Sequence, residues 1–235
     1  ARVLDKLGIS LIRAQNAGCC GALSHHLSDH QGALHFMRRN IDAWWPHVEA
    51  GAEAIVMTAS GCGAVVKDYG VLLREDPAYA EKAARIAAMT KDLSEVLAQE
   101  DLASLAVNGD SRKVAFHAPC TLQHGQRLTG VVEALLARCG YQLTAVADPH
   151  LCCGSAGTYS ILQPALSQQL LADKLAALQQ GEPDLIVTAN VGCQLHMQTR
   201  ASRPVRHWVE LLDGGSCSGM LGKLRISRPF PFRGK

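Results

Sequence analysis

Two short apolar runs recur along the chain, EAIVMTASGC at 53–62 and DLIVTANVGC at 184–193. Set in register without a gap, they share an acidic residue, Ile-Val, Gly and Cys. Runs this short and apolar, bounded by turn residues, predict buried strands that each deliver a cysteine at their end. A longer stretch of helical text precedes each: HQGALHFMRRNIDAWWPHVEAG (30–51) and ILQPALSQQLLADKLAALQQG (161–181). Both close on a glycine suited to capping a helix. In the second, Leu162, Leu166, Leu170, Leu171, Leu175 and Leu178 predict one apolar face, with the Gln, Asp and Lys residues turned to water.

The second half adds a strand in KVAFHAPC (113–120), a helix in HGQRLTGVVEALLARCG (124–140) and a strand in YQLTAVAD (141–148). Strand, helix, strand, helix, strand predicts a parallel sheet with crossover helices, and such sheets gather ligands at the carboxyl ends of their strands. The fold class is therefore α/β: two tandem, duplicated small α/β units with parallel sheets and cysteine sites at strand ends. The units are placed at 1–75 and 111–212, with a helical connector at 76–110 and a Gly-, Ser- and Pro-rich tail at 213–235 that is expected to be mobile. The opening, ARVLDKLGISLIRAQNAG, reads as the middle of an α/β unit, a helix running into a short strand. The first unit is thus expected to lack its N-terminal part.

Composition narrows the function. Of 235 residues, 48% are hydrophobic and 19% charged, which suits a globular core. A net charge of +2 and 5% aromatic residues give no footprint for nucleic acid. No apolar run is long enough for a transmembrane segment, and the opening lacks a signal peptide's layout, so a cytoplasmic protein is expected.

Nine cysteines stand out. The triplet Cys-Cys-Gly occurs twice, at Cys19-Cys20-Gly21 and Cys152-Cys153-Gly154, and the next cysteine follows after 41 residues (Cys62) and 39 residues (Cys193). The odd count and the paired thiols argue against a secreted disulfide framework. In the second half Cys120, Cys152, Cys153 and Cys193 all fall just past strand ends. His196 adds a C-x-x-H donor as a further candidate metal ligand. Thiolates suit iron–sulfur clusters and zinc, and adjacent cysteines can bind two different ions of a multinuclear cluster. Gly154 and Gly157 permit the backbone to approach such a group closely. The first half offers Cys19, Cys20 and Cys62, with Val65 where the second has His196. The alternatives are a reactive dithiol or vicinal disulfide at Cys152-Cys153, or inert burial. Cys139 reads as a small core hydrophobe, Cys217 as a free thiol in the tail, and His117 and His124 as residues orienting the loop around Cys120.

A cysteine, about thirty residues, CCG, about forty residues and then Gly-Cys, set in duplicate, resembles the cysteine-rich CCG domain. That domain occurs in heterodisulfide reductase subunits, lactate-utilisation iron–sulfur proteins and anaerobic glycerol-3-phosphate dehydrogenase. The stretches NIDAWWPHVEAGAEAIVMTASGCGAVVKDYG, CTLQHGQRL, HLCCGSAGTYS, IVTANVGCQLH and VRHWVEL further resemble the iron–sulfur subunits of bacterial glycolate oxidases (glycolate dehydrogenases). The resemblance implies an electron-transfer subunit that does not oxidise substrate alone. Its partners would be flavoprotein (FAD) dehydrogenase subunits that oxidise a 2-hydroxy acid, glycolate to glyoxylate, and electrons would pass toward quinone. Lactate and glycerol 3-phosphate are the alternative substrates. It also implies an N-terminal ferredoxin-like domain, which this sequence does not contain, and peripheral association with the inner membrane's cytoplasmic face through the complex. The cofactor implied is an iron–sulfur cluster, with the 4Fe-4S type favoured, at Cys120, Cys152, Cys153 and Cys193 and at Cys19, Cys20 and Cys62. Zinc is the alternative at one site, and a zinc or metal-free docking module is the alternative role.

Overall fold

The computed structural model describes residues 1–213 apart from residues 106, 108 and 110. The expected tail beyond Asp213, with Cys217, lies outside the described residues. In the first half the chain forms helices α1 (Arg2–Lys6), α2 (Ala22–His26) and α3 (His30–Glu49), strand β1 (Ile55–Met57), helices α4 (Ser60–Lys67), α5 (Tyr69–Leu72) and α6 (Ala80–Met89), strand β2 (Thr90–Asp92) and helix α7 (Leu93–Leu97). The second half forms β3 (Lys113–His117), α8 (Val131–Arg138), β4 (Gln142–Leu143), α9 (Tyr159–Leu162), α10 (Pro164–Gln179), β5 (Leu185–Thr188), α11 (Val191–Gln198) and β6 (Val205–His207). All strand pairs are parallel: β1 with β2, and a four-stranded sheet in the order β4-β3-β5-β6. These are tandem α/β units with cysteines at the carboxyl edges of their sheets.

Strands β3 and β5 are buried on both faces, as near-continuous apolar runs of a parallel sheet must be. Val114, Phe116, Leu185 and Val187 face one core, which also receives Val3 and Leu4 of α1, Leu93 and Leu97 of α7, Leu135 and Leu136 of α8, and Trp208. Ala115 and Ile186 face the other, with Leu171, Leu175 and Leu178 of α10, Met197, Cys153 and Cys193. A third core in the first half joins Met37 and Ile41 of α3 to Val66, Tyr69 and Ile86.

Several elements differ from the sequence expectation. The expected helical connector carries a strand, because β2 lies against β1 in the register Ile55↔Thr90 to Met57↔Asp92. Its text, Thr-Lys-Asp, is polar and too short to show a two-residue period. Its buried polar groups find partners instead: Thr90 Oγ1 donates to Ile86 O, and Asp92 caps α7 by accepting from Ser94 N at 2.9 Å. The helix expected across 161–181 is broken at Gln163, since Pro164 disfavours helical backbone in the residue before it; α10 then starts on that proline. The helix expected over 124–140 is interrupted: a π-helical turn spans Thr121–Gly125, and the α-helix begins at Val131, behind Gly130 at φ +80°. Only two residues of the expected strand 141–148 pair with β3, after which the chain turns away as the edge of the sheet. No strand follows α1 within residues 7–18.

The apolar face of α10 also differs. Leu171, Leu175 and Leu178 are buried, whereas Leu162 and Leu166 are exposed, and Lys174, expected in water, is 0% exposed.

The two halves meet at their carboxyl strand ends. Ser60 N donates to Ala189 O at 3.1 Å, Ser60 Oγ lies 2.8 Å from Thr121 Oγ1, and His207 Nε2 lies 2.8 Å from Thr58 O. The segments that carry Cys62, Cys120 and Cys193 are therefore anchored at this seam.

Candidate metal centre

Three separate segments supply the second site. Strand β3 ends in His117 and runs through Ala118 and Pro119 to Cys120. The loop after β4 carries Cys152 and Cys153. Strand β5 feeds α11, whose first turn holds Cys193; the same arrangement puts Cys62 in the first turn of α4. Both cysteines thus sit in the first turn of a helix, a few residues beyond the strand end at which the sequence placed them. The four second-site thiols form a chain of contacts, Cys120 against Cys152, Cys152 against Cys153, and Cys153 against Cys193. The sulfurs of Cys153 and Cys193 and a ring nitrogen of His117 all lie within 4.8 Å of one another.

Thiols this close cannot all ionise independently. Hydrogen bonds from Cys120 and then Cys153 pull the Cys152 pKa far down, and a hydrogen bond from Cys153 lowers that of Cys193. Cys120 and Cys153, which donate in those contacts and so hold their protons, are pushed up. Backbone and amide donors add to this, Gly154 N to Cys152 Sγ at 3.3 Å and Asn190 Nδ2 to Cys193 Sγ at 3.6 Å. A convergent set of four thiols with two of them already favoured as thiolates suits a soft, cationic, multinuclear group.

Groups that the sequence reading missed fix the loop. Lys174 Nζ, from the buried face of α10, donates to Pro149 O at 3.0 Å and Asp148 O at 3.4 Å. Gln123 Nε2 donates to Ala118 O at 2.6 Å and to Pro149 O at 3.1 Å, tying the Cys120 segment to the Cys152 loop. Ser167 Oγ donates to Gly154 O at 2.8 Å. Burial lowers the Lys174 pKa, opposed by the charges of Cys153 and Cys152.

The first site repeats the plan with different side chains. Cys20 contacts Cys62 and Cys19, which lowers its pKa and raises that of Cys62. Asn40 stands on α3 where Lys174 stands on α10: each lies seven residues beyond the helix residue whose carbonyl faces the CCG glycine, Ala33 in one half and Ser167 in the other. Asn40 accepts from Gly18 N and donates to Cys19 O, both at 2.8 Å, and Tyr69 Oη donates to Cys20 O at 2.8 Å. Aligning the two halves through their helices, not only through their triplets, would have flagged Asn40 and Lys174 as a matched pair.

His196 is not brought into the thiol group. Its Nε2 lies 3.2 Å from Ser167 Oγ. In the first half the matching positions are Ala33 and Val65, both in one apolar core, so a polar pair in one unit replaces an apolar pair in the other. His124 is exposed. His117, expected to orient the loop, makes no well-aligned hydrogen bond through either ring nitrogen, though its proximity helps lower the Cys193 pKa. Cys139 is buried in the apolar core.

The cysteine-rich domain named CCG matches residues 1–67 and 114–198, one copy on each site. The chain belongs to the CCG family. Its two domain copies coincide with the two cysteine loops and their supporting helices. The chain is 54% identical over 213 residues to the glycolate oxidase iron-sulfur subunit of Escherichia coli (strain K12), covering 91% of this chain and 52% of that protein. It is 31% identical over 205 residues to the probable glycolate oxidase iron-sulfur subunit of Bacillus subtilis (strain 168), covering 86% and 45%. Against lactate utilization protein A of Bacillus licheniformis it is 30% identical over 224 residues, covering 90% and 89%. The chain thus spans about half the length of the two glycolate oxidase relatives. Among the described residues, no helix is long and apolar enough to cross a membrane.

Proposed function

We propose that the chain is the CCG portion of an iron–sulfur electron-transfer subunit in a flavin-dependent 2-hydroxy-acid dehydrogenase, glycolate being the substrate of the complex. It receives electrons from a flavoprotein subunit and passes them toward quinone at the cytoplasmic face of the membrane. The observation that carries this reading is the convergence of Cys120, Cys152, Cys153 and Cys193 at one sheet edge. The names of the glycolate oxidase relatives support it. A bound iron–sulfur cluster supplies reversible one-electron transfer. The chain's own part is to hold the group: thiolates as ligands, Gly154 N and Asn190 Nδ2 as donors to their sulfurs, and Lys174 and Gln123 as ties on the loops. The first site, with three thiols and Val65, supports zinc as the alternative there.

Anaerobic purification followed by iron, zinc and sulfide assays tests this. Wild type should carry iron with acid-labile sulfide, and Cys153→Ser should lose about four irons, one cluster's worth. Stoichiometric zinc without sulfide at Cys153 would overturn the reading and leave a docking module.

A further inference from the structure

We propose that His117 is a ligand of the group held at the second site, completing a donor set of four thiolates and one imidazole, while His196 is not. The inference rests on the reading that an iron–sulfur cluster binds there.

The sheet fixes where His117 must point. Side chains alternate across a strand, so His117 shares a face with Ala115, and Ala115 belongs to the core that contains Cys153 and Cys193. The result is a ring nitrogen within 4.8 Å of both sulfurs. The imidazole is 1% exposed, and neither nitrogen makes a well-aligned hydrogen bond, although the ring lies close enough to Cys193 to favour its thiolate. A buried imidazole without well-aligned partners costs free energy, and such a group calls for a partner, whether an ion, a ligand or an ordered water. Thr188, the register partner of His117 on β5, is also buried with an unpartnered hydroxyl. Register partners share a sheet face, so two polar side chains without well-aligned partners stand on the face turned toward Cys153 and Cys193. His196 shows the opposite: its Nε2 is engaged by Ser167 Oγ.

The bond is a dative one from a neutral nitrogen lone pair to iron, with no change of oxidation state. Compared with five thiolates, four thiolates and a neutral imidazole make a cluster less negative and easier to reduce. His117 would then set the second site apart from an all-thiolate cluster.

Pulsed EPR on the anaerobically purified protein, with any subunit that co-purifies and in whichever redox state is paramagnetic, tests the assignment. A strongly coupled 14N should appear and should convert to 15N on isotopic labelling of histidine. It should vanish in His117→Cys, which retains a donor at that position, and persist in His196→Ala. Absence of a strongly coupled histidine nitrogen, its survival in His117→Cys, or its loss in His196→Ala would each overturn the proposal. A weak coupling alone would also overturn it, reducing His117 to an N–H···S donor. Should His117→Cys fail to hold its cluster, labelled wild type and His196→Ala decide between the two histidines. A protein with no iron or sulfide at this site would instead defeat the functional reading, and the inference with it.

Discussion

Gly154→Ala will dismantle the second cysteine site, and Gly21→Ala will damage the first site less. Both glycines occupy the left-handed region, at φ +84° and +85°, so the backbone cost of adding a Cβ is the same for each, about 1 kcal/mol. The space differs. A Cβ on Gly154 would lie 2.3 Å from the carbonyl oxygen of Ser167 and 3.3 Å from Leu170 Cβ, against helix backbone that cannot yield. A Cβ on Gly21 would lie 2.9 Å from Ala33 O. Overpacking of this kind adds roughly 1–3 kcal/mol. Gly154→Ala should therefore cost about 3–4 kcal/mol and Gly21→Ala about 2 kcal/mol. Gly51, at φ +94° with nothing within 4 Å of its added Cβ, supplies the control, because Gly51→Ala should show the backbone cost alone. Denaturant unfolding at constant m resolves the series. Equal losses at all three glycines would mean that the CCG glycine is chosen for its dihedral and not for the close approach to the helix.

The second large effect is at Lys174. Truncation by Lys174→Ala removes a fully buried four-carbon stem, leaves a cavity and takes the donor from Asp148 O and Pro149 O. Lys174→Met keeps most of the stem and loses only the ammonium. Packing losses of this size run at about 2–4 kcal/mol. An unpaired buried carbonyl costs a further 1–3 kcal/mol or so, but Pro149 O keeps Gln123 as a donor and removal of the ammonium relieves its own burial cost. Without metal, the alanine variant should thus lose roughly 3–5 kcal/mol and the methionine variant roughly 1 kcal/mol. Unfolding under anaerobic, reducing conditions measures both. A methionine variant as damaged as the alanine variant would place the weight on the charge, and two neutral variants would remove Lys174 from the loop's support.

The candidate ligands were legible because the triplet and the strand ends are local patterns that occur twice. The parallel sheet followed from the alternation of short apolar runs with helical text. What stayed hidden depends on contacts between distant segments. Strand β3 is apolar on both faces, so its period shows that His117 and Ala115 share a side but not that this side faces the CCG loop. Lys174 reads as a solvent residue on an amphipathic helix until Asp148 and Pro149 turn their carbonyls toward α10. Strand β2 has no apolar signal, because its polar groups are satisfied by Ile86 O and by the cap of α7. The break at Gln163 was readable in Pro164, which the helical period overrode.

Electron transfer through the cysteine sites is tested most directly by the visible spectrum of the assembled complex when glycolate is added without oxygen. Bleaching of iron–sulfur absorbance along with the flavin, diminished in Cys153→Ser, is the expected result. A flavin that is reduced by glycolate, while the iron–sulfur absorbance is as large and behaves the same in wild type and Cys153→Ser, would contradict it.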